Sequence, residues 1–219
     1  MKNILLALLL AVSTLTSAFG QKFSTYWHQR TSLFYLMPTG PNKTIFIGDS
    51  ITDGGEWAAF FGSPNILNMG ISGDVSKGVL ARIDAVIRIK PKQVFLMIGI
   101  NDLSGGIAED SIATNIGLIV EKLKRESPKT NIYVQSILPV NDSFGMFAGH
   151  TSKSRQIVAT NTLLQKLCEE QKVEYIDLYH HFVEANSDRL NPIYTNDGLH
   201  LVGAGYQCWI KLLARYIES

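Results

Sequence analysis

A three-layer α/β/α sandwich, built on a doubly wound parallel sheet of five strands in the order 2-1-3-4-5, is the fold this chain predicts. Three observations lead there. Strand-like and helix-like segments alternate along the chain. The strands read as continuous apolar runs rather than period-two patterns, which is the mark of strands covered on both faces. The 219 residues suit one domain with a substantial core. Right-handed crossovers then favour a sheet wound in both directions from its first strand.

The first twenty residues stand apart. Lys2 is followed by an unbroken apolar run from Ile4 to Val12 and a small, polar stretch from Ser13 to Gly20. The run is too short to span a bilayer, and Ala18 and Gly20 sit three and one before a cut ahead of Gln21. Residues 1–20 are therefore expected to be a secretory signal, residues 21–219 a single domain, and the mature protein exported, periplasmic or extracellular. No Cys lies near the cut, so no lipid or membrane anchor is expected.

The mature chain opens on an amphipathic helix expected over Ser24–Met37, closed by Pro38. Thr44–Ile47 is the first strand, and Asp53–Phe61 a short helix. Ile66–Met69 is the second strand. Val75–Ile89 carries Val79, Leu80, Ile83, Val86 and Ile87 at the spacing of a helix buried on one face, with Pro91 as its stop. Val94–Ile98 is the third strand. Glu109–Glu126 is a helix with Ile112, Ile116, Ile119, Val120 and Leu123 inward. Ile132–Ser136, a helix over Ser154–Gln171 and Val173–Leu178 complete the sheet. A long connection leads to the last helix, Gly203–Ile217.

The chemistry gathers at strand ends. Ile45-Phe46-Ile47 runs into Gly48-Asp49-Ser50, leaving a hydroxyl at the carboxyl end of a strand, where open α/β sheets bind ligands. In the order 2-1-3, Gly70 and Asn101 come just past the two neighbouring strands, about 4.8 Å away on either side. A hydroxyl between a backbone N–H and a side-chain amide suits acyl transfer, which needs a nucleophile and donors facing the developing oxyanion. Asp197-Gly198-Leu199-His200 supplies the base: residues three apart on a helical turn are neighbours, so Asp197 can orient His200 while its other nitrogen serves Ser50. Each piece has a plainer reading as a turn or a helix cap; the four together, each in place, favour the site.

Gly48-Asp49-Ser50, Asn68-Met69-Gly70, Gly99-Ile100-Asn101-Asp102 and Asp197-Gly198-Leu199-His200 resemble the four blocks of the SGNH hydrolases, also called GDSL-type esterases and lipases. The resemblance spans about Thr44 to Tyr206, with Ile51 where the motif usually has Leu. It implies Ser50 as nucleophile, His200 as base, Asp197 as its partner, and an oxyanion hole from the N–H groups of Ser50 and Gly70 with the Asn101 amide. The wider wording is similar to exported carbohydrate O-acetylesterases, sialate O-acetylesterases among them, and to the platelet-activating-factor acetylhydrolase subfamily. The implied substrate is an acyl ester, small or glycan-borne, with acetyl on O-acetylated sialic acid first and a lipolytic ester as the alternative.

Other classes fit less of the chain. A flavodoxin-like cofactor binder would use Ser50–Gly55 as a phosphate cradle but leaves Asn101, Asp197 and His200 unexplained. An inactive, glycan-binding relative sits poorly with a complete catalytic set. No Gly-x-x-x-x-Gly-Lys-Ser/Thr occurs, and Gly203-Ala204-Gly205 is too short for a dinucleotide fingerprint. No cofactor is expected, and no metal: His28 and the His180-His181 pair lack partners at ligand spacing. With 18% charged residues and a net charge of +1, nothing favours nucleic acid. His150, in a Gly-rich loop after strand four, is placed at the border of the site. Cys168 and Cys208 are expected to stay unpaired, because their helices cover opposite faces of the sheet, beyond the reach of roughly 7 Å that a disulfide allows. Oligomeric state is left open.

Overall fold

The computed structural model describes residues 23–217. The signal expected at residues 1–20 lies outside the described residues. Five strands, β1 (Thr44–Gly48), β2 (Ile66–Gly70), β3 (Gln93–Met97), β4 (Asn131–Gln135) and β5 (Glu174–Ile176), form one sheet in the order β2-β1-β3-β4-β5. Every pairing is parallel. Register aligns Gly48 with Gly70 on one side and with Met97 on the other. The carboxyl ends of β2, β1 and β3 therefore finish level, which is what lets their following residues share one site.

Side chains alternate across the sheet. One face carries Phe46, Phe95 and Tyr133 on successive strands in register, stacked at 5.0 and 4.7 Å between ring centroids. Helix α3 (Trp57–Phe60) lays Trp57 flat on Phe46 at 4.1 Å, and α10 (Gly203–Ile217) brings Trp209 edge-on to Trp57 at 4.8 Å. The indole N–H of Trp209 donates to Gln135 Oε1 at 2.8 Å, so the polar edge is satisfied inside the apolar layer. On the other face α4 (Ser76–Ile87), α6 (Glu109–Glu126) and α8 (Ser154–Gln171) pack side by side. The five inward residues expected on α6 are all buried. Cys168 lies on α8 and Cys208 on α10, on opposite faces, and both are free thiols as expected.

Three local expectations are corrected. The helix expected over Asp53–Phe61 is two shorter ones, α2 (Ser50–Asp53) and α3. It starts early because the Asp49 carboxylate accepts from Ile51 N–H, an N-cap, and breaks at Gly54-Gly55. At that break the Asn68 side-chain amide faces the carbonyls of Thr52, Asp53 and Gly55 at 2.8–3.0 Å, and Thr52 O also accepts from the Trp57 indole. β5 ends at Ile176 rather than Leu178, because Ser136 Oγ accepts the N–H groups of Leu178 and Tyr179 and turns the chain into α9 (Tyr179–Phe182). The segment after β4, read as a loop, contains α7 (Ala148–Thr151), and α5 (Ile100–Ser104) follows β3, where no helix is expected from the sequence. The first helix, α1 (Thr25–Phe34), begins at a Ser24 cap and buries Trp27 and Phe34.

Arg82 is the largest polar group in the core, with its side chain fully shielded. It sits on α4 between Val79 and Ile83, on the face the apolar spacing sends inward. Its Nε donates to Asp74 Oδ2 at 2.8 Å, Nη1 to Met69 O at 2.8 Å and Nη2 to Gly48 O at 3.2 Å. The guanidinium also stacks over Phe34 at 5.4 Å. One cation thus joins the ends of β1 and β2, the loop after β2 and helix α1.

Removing one partner of a buried pair leaves the other charge uncompensated. Arg82→Met is expected to lower unfolding stability by about 3–5 kcal/mol, read from urea denaturation; a loss under about 1 kcal/mol would contradict this account of the core. Asp49 gives a prediction in pH. Burial pushes its carboxyl from 3.8 up to about 7, opposed by the Ile51 N–H and reinforced by Asp74 and Asp102 nearby. A folded-state pKa above the unfolded one means that the native state holds the proton more tightly, so stability falls as pH rises between those two values. The stability of Asp49→Asn relative to wild type should therefore rise from about pH 4 to about pH 7 and level off above it. A pH-independent difference between the two proteins would refute the assignment.

Candidate active site

Ser50 opens α2 at the carboxyl end of β1. Its Oγ lies 3.1 Å from His200 Nε2, and His200 Nδ1 lies 2.8 Å from Asp197 Oδ2. A carboxylate only accepts, so Nδ1 carries the hydrogen and the Nε2 lone pair faces the serine hydroxyl. All three side chains stay partly open to solvent at the surface of the sheet top.

The Asp197–His200 segment is not a turn of helix, as the spacing had suggested, but a bend ahead of α10. Asp197 closes it with its other oxygen: Oδ1 accepts the N–H groups of Leu199 and His200 at 2.8 and 2.7 Å. Thr195 Oγ1 accepts from Asp197 and Gly198 N–H behind it. Burial would raise the Asp197 carboxyl, but the hydrogen bonds from Leu199 N–H, the His200 ring and His200 N–H outweigh it and hold the group below its usual range. The carboxylate is therefore ionised wherever the imidazole needs it.

Two ties bring this bend across the sheet. Asn141, in the loop after β4, donates from its backbone N–H to Gly198 O at 2.8 Å. Gly198 has φ +84° there, and a Cβ would stand 2.0 Å from Asn141 O, so only glycine allows the approach. Tyr206, on α10, donates to Ile51 O at 2.8 Å and fastens the last helix to the turn that carries Ser50.

Gly70 and Asn101 flank Ser50 as the topology requires. Asn101 Nδ2 donates to Asp74 O at 2.9 Å, while its Oδ1 lies 3.0 Å from His150 Nε2. His150 thus borders the site as expected, in direct contact with Asn101. The Gly70 N–H donates to Asn68 Oδ1 at 2.9 Å, so binding an oxyanion there means sharing or exchanging that acceptor. Glycine at position 70 is required for a reason the sequence did not suggest: a Cβ would stand 2.3 Å from Asp53 N, inside α2. Ser50 N–H belongs to the first turn of α2, where backbone donors have no partner within the helix.

Sequence reasoning missed Phe147, half-exposed and edge-on to His200 at 5.1 Å, with φ +50°. A bulky residue in the left-handed region is the kind of strain found at ligand sites, but nothing in its spacing announces it. Asp53 was also missed. Its Oδ2 takes Tyr26 Oη and both Ser72 donors, tying α1 to the loop after β2. A cleft of about 720 Å³ lined by Thr39, Arg88, Lys90 and Lys129 lies at the opposite end of the sheet, before the strands begin, away from Ser50 and His200. Among the described residues no group of three His, Cys, Asp or Glu is placed to hold a metal ion, and no helix is long and apolar enough to cross a membrane.

Known proteins resemble the chain in sequence and in fold. Residues 46–208 match the GDSL-like lipase/acylhydrolase family model. Platelet-activating factor acetylhydrolase IB subunit alpha2 of Homo sapiens is 28% identical over 168 residues, 74% of this chain and 70% of its own. A GDSL-like lipase from Bacteroides thetaiotaomicron superposes with a TM-score of 0.76 at 26% identity, over 88% of this chain and 97% of that one. An acetylxylan esterase from Geobacillus stearothermophilus shares the fold, with a TM-score of 0.66 at 23% identity over 84% and 96% of the two chains. A doubly wound sheet of the matching order, three of the four sequence blocks at its strand ends with the fourth in the bend ahead of α10, and a family match covering most of the length give one conclusion: the chain belongs to the GDSL-like lipase/acylhydrolase family.

Proposed function

We propose that this protein is a metal-independent serine esterase that removes a short acyl group, acetyl above all, from a carbohydrate such as O-acetylated sialic acid. The observation that carries the reading is the hydrogen-bonded line Ser50–His200–Asp197, 3.1 and 2.8 Å, at the end of the central strand. In this reading Ser50 Oγ attacks the ester carbonyl as His200 Nε2 takes its proton. The carbonyl oxygen becomes an oxyanion held by the N–H groups of Ser50 and Gly70 and by the Asn101 amide. His200 then returns the proton to the departing alcohol, leaving Ser50 acylated. A water, deprotonated by His200, attacks the acyl-enzyme and restores Ser50 with release of the carboxylic acid. Asp197 stays ionised throughout and steadies the imidazolium.

The short acyl group rests on the walls of the site. The segments past β1, β2 and β3 are brief and rich in Gly, Ser and Asp, and offer no long apolar insertion beside Ser50. A relative at 28% identity is named an acetylhydrolase, which supports the same choice. That relative also favours a second reading, a lipid ester, for which the exposed Phe147, edge-on to His200, would serve the alcohol side.

Ser50→Ala and His200→Ala should each abolish nearly all hydrolysis of 4-nitrophenyl acetate without loss of fold, leaving the residual rate that oxyanion donors alone provide. Asn101→Ala should lower kcat by about 10²–10³ with little change in KM. Activity within a few-fold of wild type in either triad variant would sink the mechanism, and a change in KM alone would make Asn101 a binding residue.

Acyl length separates the two substrate readings. A small polar site gains little from methylenes that could each add about 0.8 kcal/mol in an apolar trough. kcat/KM should fall steeply from acetyl to butyryl to octanoyl 4-nitrophenyl esters, and O-acetylated sialic acid should be deacetylated. An octanoyl ester turned over as well as the acetyl one would shift the assignment to a lipolytic acylhydrolase.

A further inference from the structure

The Asn101 carboxamide must offer hydrogen, not oxygen, to a developing oxyanion, and its neighbours decide which way it faces. Asp74 O is a carbonyl and can only accept, so the amide nitrogen, at 2.9 Å, is on that side. Oδ1 is then the atom 3.0 Å from His150 Nε2, and an oxygen needs a donor there. Nε2 must therefore carry a hydrogen. In the neutral ring this leaves Nδ1 as an acceptor, and Ser104 Oγ stands 3.3 Å from it with a hydroxyl to donate. Each assignment follows from the one before, starting from a backbone carbonyl whose role has no alternative.

Burial pulls the His150 pKa down and the charge of nearby His200 pulls it further, both favouring the neutral ring. The support is local and well built. Asn101 and Ser104 are three residues apart on α5, so His150 bridges one turn of a single helix. Its own turn is tied by Thr151 Oγ1 to the carbonyls of Met146 and Phe147 and by the His150 N–H to Phe147 O.

We propose that His150 is a positioning residue for ester hydrolysis: its Nε2–H holds and polarises the Asn101 carboxamide so that an amide N–H faces the oxyanion, with Ser104 fixing the ring tautomer. The inference rests on the esterase reading given above. A flipped Asn101 would set Oδ1 against Asp74 O and present a second acceptor to the oxyanion, and the His150 donor stands against that flip. A chain of hydrogen bonds from Ser104 through His150 to Asn101 also strengthens the last donor in the line. His150 is no second base, because its one basic nitrogen is turned to Ser104 rather than Ser50.

Steady-state kinetics on 4-nitrophenyl acetate test it through a double-mutant cycle. His150→Phe keeps the ring and loses the donor. It should lower kcat about 10-fold with KM within about 2-fold, a fraction of the loss of the donor itself. His150→Gln, which can donate from a similar position, should recover most of that rate. In an Asn101→Ala background His150→Phe should change kcat less than about 2-fold, since nothing remains to position. Ser104→Ala, a milder change, should cost about 3-fold through the same route and serves if His150→Phe fails to fold. The proposal is overturned if His150→Phe leaves kcat unchanged, acts on KM alone, or costs the same with and without Asn101; for Ser104→Ala the same results overturn it. A wild-type protein that hydrolyses no ester would instead bring down the esterase reading, and this inference with it.

Discussion

A fully buried guanidinium must direct its donors at protein oxygens, and Arg82 directs them at the end of the sheet where Ser50, Gly70 and Asn101 gather. Gly48 O and Met69 O belong to the strands that deliver Ser50 and Gly70, and Asp74 closes the loop after β2. The backbone carbonyl of that same Asp74 holds the Asn101 amide, which comes from β3. Three strand ends are thus set relative to one another through one buried ion pair. Preorganised donors stabilise a transition state because they need no rearrangement when charge develops. Arg82 bonds to Gly48 O, Met69 O and Asp74 rather than to Ser50, Gly70 or Asn101, yet the placement of all three passes through it.

The Asp197–His200 pair reaches Ser50 by a separate route. It lies beyond the last strand and is drawn back by the Asn141–Gly198 bond and by Tyr206 on Ile51. The Tyr206 tie rests on the aromatic layer, where Tyr206 packs against Trp57 and Trp209, and Trp57 lies flat on Phe46. Rigid packing beneath and short, hydrogen-bonded loops above divide the work: the core sets strand ends to a fraction of an ångström, and capping carboxylates aim the side chains. Asp49 and Asp197 do the same job at two places, each taking the backbone N–H groups that open its turn.

Strand order and the main helices were legible because they rest on burial, and burial writes itself as apolar runs and three-to-four spacing. Ser50, Asn101, Asp197 and His200 were legible because each follows a strand or turn signal directly. What escaped was fixed by side chains distant in sequence. Asn68, on β2, satisfies the break in the helix expected over Asp53–Phe61, and Ser136, on the far side of α8, ends β5. Arg82 had a signal that could have been used: it falls on the apolar stripe of α4, between Val79 and Ile83, where a charge needs a buried partner. Gly70 was identified as a donor, but the crowding that demands glycine there comes from Asp53, on α2, which the sequence does not place beside it. His150 could only be set near the site, because the contact with Asn101 depends on α7, a four-residue helix with no periodicity to read.

The central claim is that His200 makes Ser50, alone among the serines, a nucleophile at neutral pH. A fluorophosphonate ester tests it directly, because it phosphonylates only an activated hydroxyl, and intact and peptide mass spectrometry locate the adduct. The predicted result is one phosphonyl group per chain, on the peptide containing Ser50, with no adduct in His200→Ala. Labelling of a different serine, or no labelling of a folded wild-type protein, would contradict the account.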